Sequence, residues 1–311
     1  MPPLTASTIL GNWATLLLPI DEGESIDYAR LADTLDHFAA ARVNGVYSNG
    51  SAGEFYTQSE EEFDCVNQLL AEKCSRAGLP FQIGVSQMSP QLALARLRRA
   101  KALQPSAFQV ILPDWFVPQF SEILVFLEVM AAAAAPIPLI VYNPPHAKRH
   151  LTPVEWLEIA DKIPGVAGMK VPGGDAAWYA AMQPVMRRLS VFVPGHLLAT
   201  GIAQGAHGAY SNVACLSPGG AQRWYDLMVR DPAAGLRVQE KILAFFAEHI
   251  TPLITRDKFS NMAVDKCLAV AGGWSALTTR LRWPYRSVPM ETALRFRPLV
   301  HAAIPELFPA G

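Results

Sequence analysis

Eight times in the first two-thirds of the chain, a short apolar run is followed by a longer stretch with helical spacing. No other feature narrows the fold as much. The runs are Trp13–Leu18, Gly45–Ser48, Phe81–Val85, Phe108–Leu112, Leu139–Asn143, Val166–Lys170, Val191–Val193 and Gly208–Ser211. They are apolar on both faces, as parallel strands covered by helices are. The spacing between them predicts helices over Tyr28–Ala41, Glu60–Ala77, Pro90–Leu103, Phe120–Ala134, Pro153–Lys162, Ala176–Arg188 and Leu197–Gln204. Ser59, Ser89, Ser121, Thr152 and Asp175 stand where N-caps belong. Strand–helix alternation of this length predicts an α/β fold, a (β/α)8 TIM barrel. A doubly wound sheet shares the alternation but needs a GxGxxG turn after its first strand, and Gly50-Ser51-Ala52-Gly53 does not have that spacing.

After Ser217 the strands stop. Gly220–Arg230, Pro232–Ile250, Lys258–Ala271 and Glu291–Leu307 all read as helices. The first is expected to close the barrel, which then occupies residues 1–230. The others form a C-terminal helical extension, residues 231–311, with no Ser/Gly linker to detach it.

Composition excludes several function classes. Of 311 residues, 51% are hydrophobic and 17% charged, which supplies a large core and argues against disorder. A net charge of −1 leaves no basic face for nucleic acid. The longest apolar stretch, residues 131–142, is broken by Pro136 and Pro138, so no membrane span is expected. Cys65, Cys74, Cys215 and Cys267 form no CxxC pair and read as reduced thiols. With no basic, apolar leader at the N-terminus, the expected location is cytoplasmic. His146, His150 and His196 have no metal-ligand spacing, so no metal is expected. No GxSxG elbow or P-loop appears either.

In a barrel, reacting groups gather at the C-terminal ends of the strands. Three ends stand out. The sixth closes on Lys170. An amine held away from water gives up its charge more readily and becomes a nucleophile toward a ketone; alternatively, Lys170 simply leaves the strand for solvent. The fifth strand ends in Tyr142-Asn143-Pro144-Pro145, where the phenol is either an acid–base group or a structural anchor. The second runs into Asn49-Gly50-Ser51-Ala52-Gly53-Glu54. Its consecutive N–H groups can form a nest for a carboxylate or phosphate, or the glycines serve an ordinary βα turn.

Together these residues resemble the dihydrodipicolinate synthase / N-acetylneuraminate lyase family, nearly end to end. The family's GxxGE loop appears as Gly50-Ser51-Ala52-Gly53-Glu54 and its YNxP motif as Tyr142-Asn143-Pro144-Pro145. Its GxK strand is Gly168-Met169-Lys170. Its last-strand pattern is Gly205-Ala206-His207-Gly208-Ala209-Tyr210-Ser211-Asn212, which places Tyr210 beside the substrate. The resemblance implies a Schiff-base lyase or dehydratase acting on a 2-keto acid. In that reading Lys170 attacks the keto carbon, and backbone N–H groups of Ser51 and Ala52, set by Gly50 and Gly53, hold the carboxylate. Tyr142 shuttles protons with Ser51 as its relay. It also implies no cofactor, since the protonated imine is the electron sink, and a homo-oligomer, dimer or tetramer.

Two departures bear on the substrate. Synthase members carry an arginine where this chain has Ala147, and neighbouring Lys148 and His146 offer no bidentate guanidinium. Synthase activity is therefore not expected. Where many members have a tyrosine that crosses the dimer interface, this chain has Trp115, whose indole cannot exchange a proton as a phenol does. Aldol cleavage releasing pyruvate, dehydration of a 2-keto-3-deoxy sugar acid and deamination of a cyclic imino acid all stay open. Trp115 also leaves room for a keto-acid-binding homologue that has lost turnover and serves as a sensor or scaffold. A barrel for a phosphorylated substrate finds little cationic support at Pro194-Gly195-His196.

Overall fold

A computed structural model describes residues 1–308. Its centre is a closed barrel of eight parallel strands in chain order: β1 (Gly11–Thr15), β2 (Gly45–Ser48), β3 (Phe81–Gly84), β4 (Ala107–Ile111), β5 (Leu139–Tyr142), β6 (Val166–Lys170), β7 (Ser190–Pro194) and β8 (Gly208–Ser211). β8 pairs back onto β1, so no edge is left open. The expected (β/α)8 TIM barrel with C-terminal helices is the observed fold.

The strand pleat sorts side chains into two apolar sets. Trp13, Tyr47, Ala107, Ile140, Phe192 and Tyr210 pack against one another inside the barrel. Alternate residues such as Val46, Phe108, Val141 and Val191 face the helices in the larger core. Those helices are α1 (Tyr28–Ala41), α2 (Glu60–Ala77), α3 (Pro90–Ala100), α4 (Phe120–Ala134), α5 (Pro153–Lys162), α6 (Ala176–Met186), α7 (Leu198–Ala203), α8 (Asn212–Leu216) and α9 (Pro218–Arg230). Their starts are chemically marked. The Ser59 hydroxyl accepts from the Glu62 N–H while the Glu62 carboxylate accepts from the Ser59 N–H. Thr152 and Glu155 do the same for α5, with Pro153 in the first turn.

The structure departs from the sequence reading in several places. The N-cap of α4 is Gln119, not Ser121; its N–H donates to the Glu122 carboxylate at 2.6 Å. The ladder of β1 starts at Gly11 and ends at Thr15, so buried Leu16–Leu18 leave the sheet although they remain core. The helix expected over 232–250 is α10 (Pro232–Phe245), followed by a wider turn, Phe246–Ile250, and a short α11 (Thr251–Thr255). Pro252 has no N–H to continue the regular ladder, which accounts for the widening. The five-residue α8, capped by the Ser211 hydroxyl, is too short to leave a periodic signal.

Beyond α11 the chain forms α12 (Asn261–Gly272) and α13 (Met290–Ala303), which pack on each other. α12 lies so close to α8 that a Cβ on Gly272 would sit 1.7 Å from the Leu216 carbonyl oxygen. The Trp274 indole N–H, just beyond the end of α12, donates to the Cys215 carbonyl of α8 at 2.8 Å. This packing brings α12 over the C-terminal mouth of the barrel, where Val264, Asp265 and Leu268 join the ends of the strands in one cavity. No helix among the described residues is long and apolar enough to cross a membrane.

Candidate active site

The cavity at the C-terminal mouth has a volume of about 790 Å³ and takes its wall from the strand ends, their loops and α12. β5 and β6 place Tyr142 and Lys170 directly opposite each other in register. Both side chains therefore turn to the same side of the sheet, into the cavity, and both are half-buried. The Lys170 ammonium nitrogen lies 4.8 Å from the centre of the Tyr142 ring, within cation–π range. Lys170 is not a strand end pointing into bulk water.

Across from this pair, the turn after β2 runs beneath the cavity wall. It enters through Asn49 and leaves through Glu54, at φ +55° and +53°. Both values lie in the left-handed region that few non-glycine residues adopt. A Cβ on Gly50 would come 2.8 Å from the Tyr47 ring, and one on Gly53 would come 2.9 Å from the Asn49 backbone nitrogen. These contacts explain both glycines. Gly50, Ser51 and Ala52 reach the cavity, while Gly53 stands behind them. No hydrogen bond joins Ser51 to Tyr142 among the described residues, although both line the same space.

A buried ion pair anchors the turn. Glu54 and Lys266 of α12 meet at 2.5 Å, both with side chains at 0% exposure, and the Lys266 ammonium also donates to the Arg280 carbonyl at 2.5 Å. Burial pushes the Glu54 carboxyl up against the pull of Lys266. It pushes the Lys266 amine down against the pull of Glu54. Arg282 adds a second tie, donating to the Thr57 carbonyl at 2.9 Å and to the Glu62 carboxylate.

The floor is built from hydroxyls. Thr15 donates to the Tyr47 oxygen at 2.6 Å, and the Tyr47 ring stacks on Tyr210 with 4.0 Å between centres. Tyr210 in turn donates to Gln82 inside the barrel. Burial raises both phenols above their ordinary range. On the β5 side, the Asn143 side chain donates to the Arg149 carbonyl at 2.8 Å and accepts from the Leu151 N–H at 3.0 Å, which fixes the following loop. That loop brings Ala147 and His146 to the wall, and burial lowers the His146 imidazole, helped by the Lys170 charge. Arg149 is held by Glu155. Asn212 bonds the His196 N–H at 3.0 Å and its ring at 2.9 Å, fixing that imidazole at the rim.

Trp115 stands apart. Its neighbours Asp114 and Val117 line the cavity, but the indole does not, and it is 81% exposed. Lys148 donates to the Trp115 carbonyl at 3.2 Å and lies 5.7 Å from its ring centre. Beside it Phe116 is also exposed.

Three wall residues escaped sequence reasoning. Thr15 and Tyr47 read as ordinary strand residues. Asp265 lies in the extension and reaches the cavity through the packing of α12 on α8 alone. Its side chain keeps a little accessible surface toward the cavity but is enclosed by protein, and this burial pushes its carboxyl up to about 7, with the Lys170 charge pulling the other way.

Known proteins match this chain in sequence and in fold. It is 30% identical over 159 residues to a 4-hydroxy-tetrahydrodipicolinate synthase of Thermomicrobium roseum, over 50% of this chain and 51% of that protein. It is 26% identical over 171 residues to an N-acetylneuraminate lyase of Escherichia coli O1:K1, over 55% and 57% respectively. In these matches the chain spans about half the length of its relatives. A solved structure of a Ruminococcus gnavus sialic acid aldolase, a catalytic lysine mutant, superposes with a TM-score of 0.83 at 21% identity, over 99% of this chain and 100% of that one, and supports the fold. The model of the dihydrodipicolinate synthetase family matches residues 8–302, and the chain belongs to that family.

Proposed function

We propose that the chain is a Schiff-base-forming lyase for a 2-keto acid. The observation that carries this reading is the register pairing of Tyr142 and Lys170 in one cavity, lined also by a glycine-built turn whose Ser51 and Ala52 N–H groups have no partner among the described residues. The keto acid enters with its carboxylate toward the N–H groups of Ser51 and Ala52, where oriented backbone dipoles favour an anion. The Lys170 amine, once it has given up its proton, adds to the keto carbon and gives a carbinolamine. Tyr142 protonates the leaving hydroxyl and water departs. The resulting iminium draws electrons from the adjacent carbons, so no further cofactor is required.

Ala147 and the 790 Å³ cavity bear on the substrate's remainder. The space exceeds the need of pyruvate alone, and no guanidinium stands at Ala147 to clamp a second carboxylate. A keto acid with a neutral, hydroxylated tail fits better than a dicarboxylate, and either aldol cleavage or dehydration follows from the same imine. Residues 1–230 supply Lys170, Tyr142 and Ser51 in this reading, and the extension from 231 onward roofs them. Exposed Trp115 and Phe116 suit burial against a second copy of the chain in a dimer or tetramer.

The test is a panel of 2-keto-3-deoxy sugar acids, N-acetylneuraminate and cyclic imino acids, assayed for pyruvate release, dehydration and ammonia. Turnover of at least one by the unmodified protein, lost in Lys170→Ala, is expected. Turnover that survives Lys170→Ala refutes the proposal.

A further inference from the structure

Asp265 and Lys266 are consecutive on α12, about 100° apart around the helix. Lys266 turns to Glu54 behind the nest, while Asp265 turns into the cavity. Asp265 makes no hydrogen bond or ion pair among the described residues. Asp114, the other acid of the wall, belongs to the loop at the mouth beside exposed Trp115.

The charges around Asp265 come from several elements. Lys170 of β6 acts on it, and its own charge reaches Tyr47 of β2 and the Cys215 thiol of α8. Other ionisable groups near α12 are engaged elsewhere: Lys266 with Glu54, Arg282 with Glu62, and Arg297 and His301 of α13 at the carbonyls of Val270 and Gly272, at the helix's other end. Asp265 therefore lines the same cavity as Lys170, close to Tyr47 of β2 and to α8, while Tyr142 stands next to Lys170 on β5. A keto acid bound through Lys170 shares this cavity with both the phenol and this carboxyl.

We infer that Asp265 is a further catalytic residue of this site, the acid–base group for C3 of the Lys170-bound keto acid. The inference rests on the lyase reading and gives it a carrier for the carbon-bound proton. The Lys170 amine condenses with C2 and releases water. The Asp265 carboxylate takes a proton from C3; the C3–H pair becomes the C2=C3 bond, and the C=N pair moves onto nitrogen, giving the enamine. In the reverse direction, protonated Asp265 returns that proton to C3, and water hydrolyses the iminium to keto acid and free amine. Tyr142 is left with the oxygen-bound protons. A carboxyl pushed up to about 7 by burial suits both directions at neutral pH.

The experiment follows pyruvate methyl-proton exchange in deuterium oxide by proton NMR for the unmodified protein, Asp265→Asn and Asp265→Glu. Borohydride trapping runs on the same samples. Asp265→Asn is expected to form the Lys170 adduct, which also reports a folded site, yet to exchange about 100-fold more slowly. The rise in exchange with pH through neutrality disappears in this variant, and Asp265→Glu restores part of it. An adduct together with unchanged exchange and pH profile in Asp265→Asn overturns the role of Asp265 alone. Absence of an adduct in the unmodified protein overturns the lyase reading, and this inference with it.

Discussion

Replacing Lys266 by Met tests how the nest is held. The Lys266 ammonium and Glu54 carboxylate meet at 2.5 Å with no exposure on either side. Burial acts against the charge on each, so each depends on its partner. Lys266→Met fills the space of the lysine stem but leaves a buried carboxylate without its ion-pair partner. Breaking such a pair from one side costs roughly 3–5 kcal/mol. Losing the bond to the Arg280 carbonyl adds about 1 kcal/mol. The double variant Glu54→Gln/Lys266→Met removes both charges and should return to within about 1–2 kcal/mol of the unmodified protein. Urea denaturation at neutral pH, with slopes compared to confirm two-state behaviour, gives all four corners of the cycle. The pH dependence adds a second signature. In Lys266→Met the folded Glu54 carboxyl titrates above its unfolded value, so the deficit is largest at neutral pH and closes as pH falls toward about 4. A Lys266→Met protein within about 1 kcal/mol of the original at pH 7, or a deficit indifferent to pH, would refute the reasoning.

Three further outcomes follow. Tyr142→Phe keeps pyruvate trapping on Lys170 but slows turnover of any active substrate by about 10²-fold, measured as kcat; unchanged kcat removes Tyr142 from the mechanism. Gly50→Ala puts a methyl 2.8 Å from the Tyr47 ring and should cost about 1–3 kcal/mol while weakening pyruvate binding, read by urea midpoint and by the concentration dependence of trapping. Asp265 titrates near 7 when folded and near 3.8 when unfolded, so the folded state holds the extra proton and stability falls as pH rises between those values. Relative to Asp265→Asn, the unmodified protein should lose up to about 4 kcal/mol across that window, seen as a widening Tm gap; a gap independent of pH contradicts the burial argument.

Much of the barrel was legible because its punctuation is local. Ser59 with Glu62, and Thr152 with Pro153 and Glu155, mark helix starts by chemistry confined to one turn. The sixth and eighth strands match the sequence reading residue for residue. The misread boundary at Leu16–Leu18 has a physical reason: burial under helices makes a run apolar whether or not it stays in the ladder. The wide turn at Phe246–Ile250 depends on which carbonyls Pro252 leaves without a donor, and hydrophobic spacing does not report that. Lys170, Tyr142 and the Gly50–Glu54 turn were legible as candidates because a barrel exposes its strand ends. Asp265 was not, since only the contact of α12 with α8 carries it to the mouth. The Thr15–Tyr47 bond was hidden because it joins two strand residues distant in sequence through facing side chains.

The central claim is that Lys170 forms an imine with a keto acid, and mass spectrometry after borohydride reduction in the presence of pyruvate tests it most directly. The account predicts a gain of one pyruvate less one oxygen, confined to a peptide containing Lys170 and absent from Lys170→Ala. No adduct with pyruvate or a series of larger 2-keto acids, or an adduct on other lysines that persists in Lys170→Ala, would contradict it.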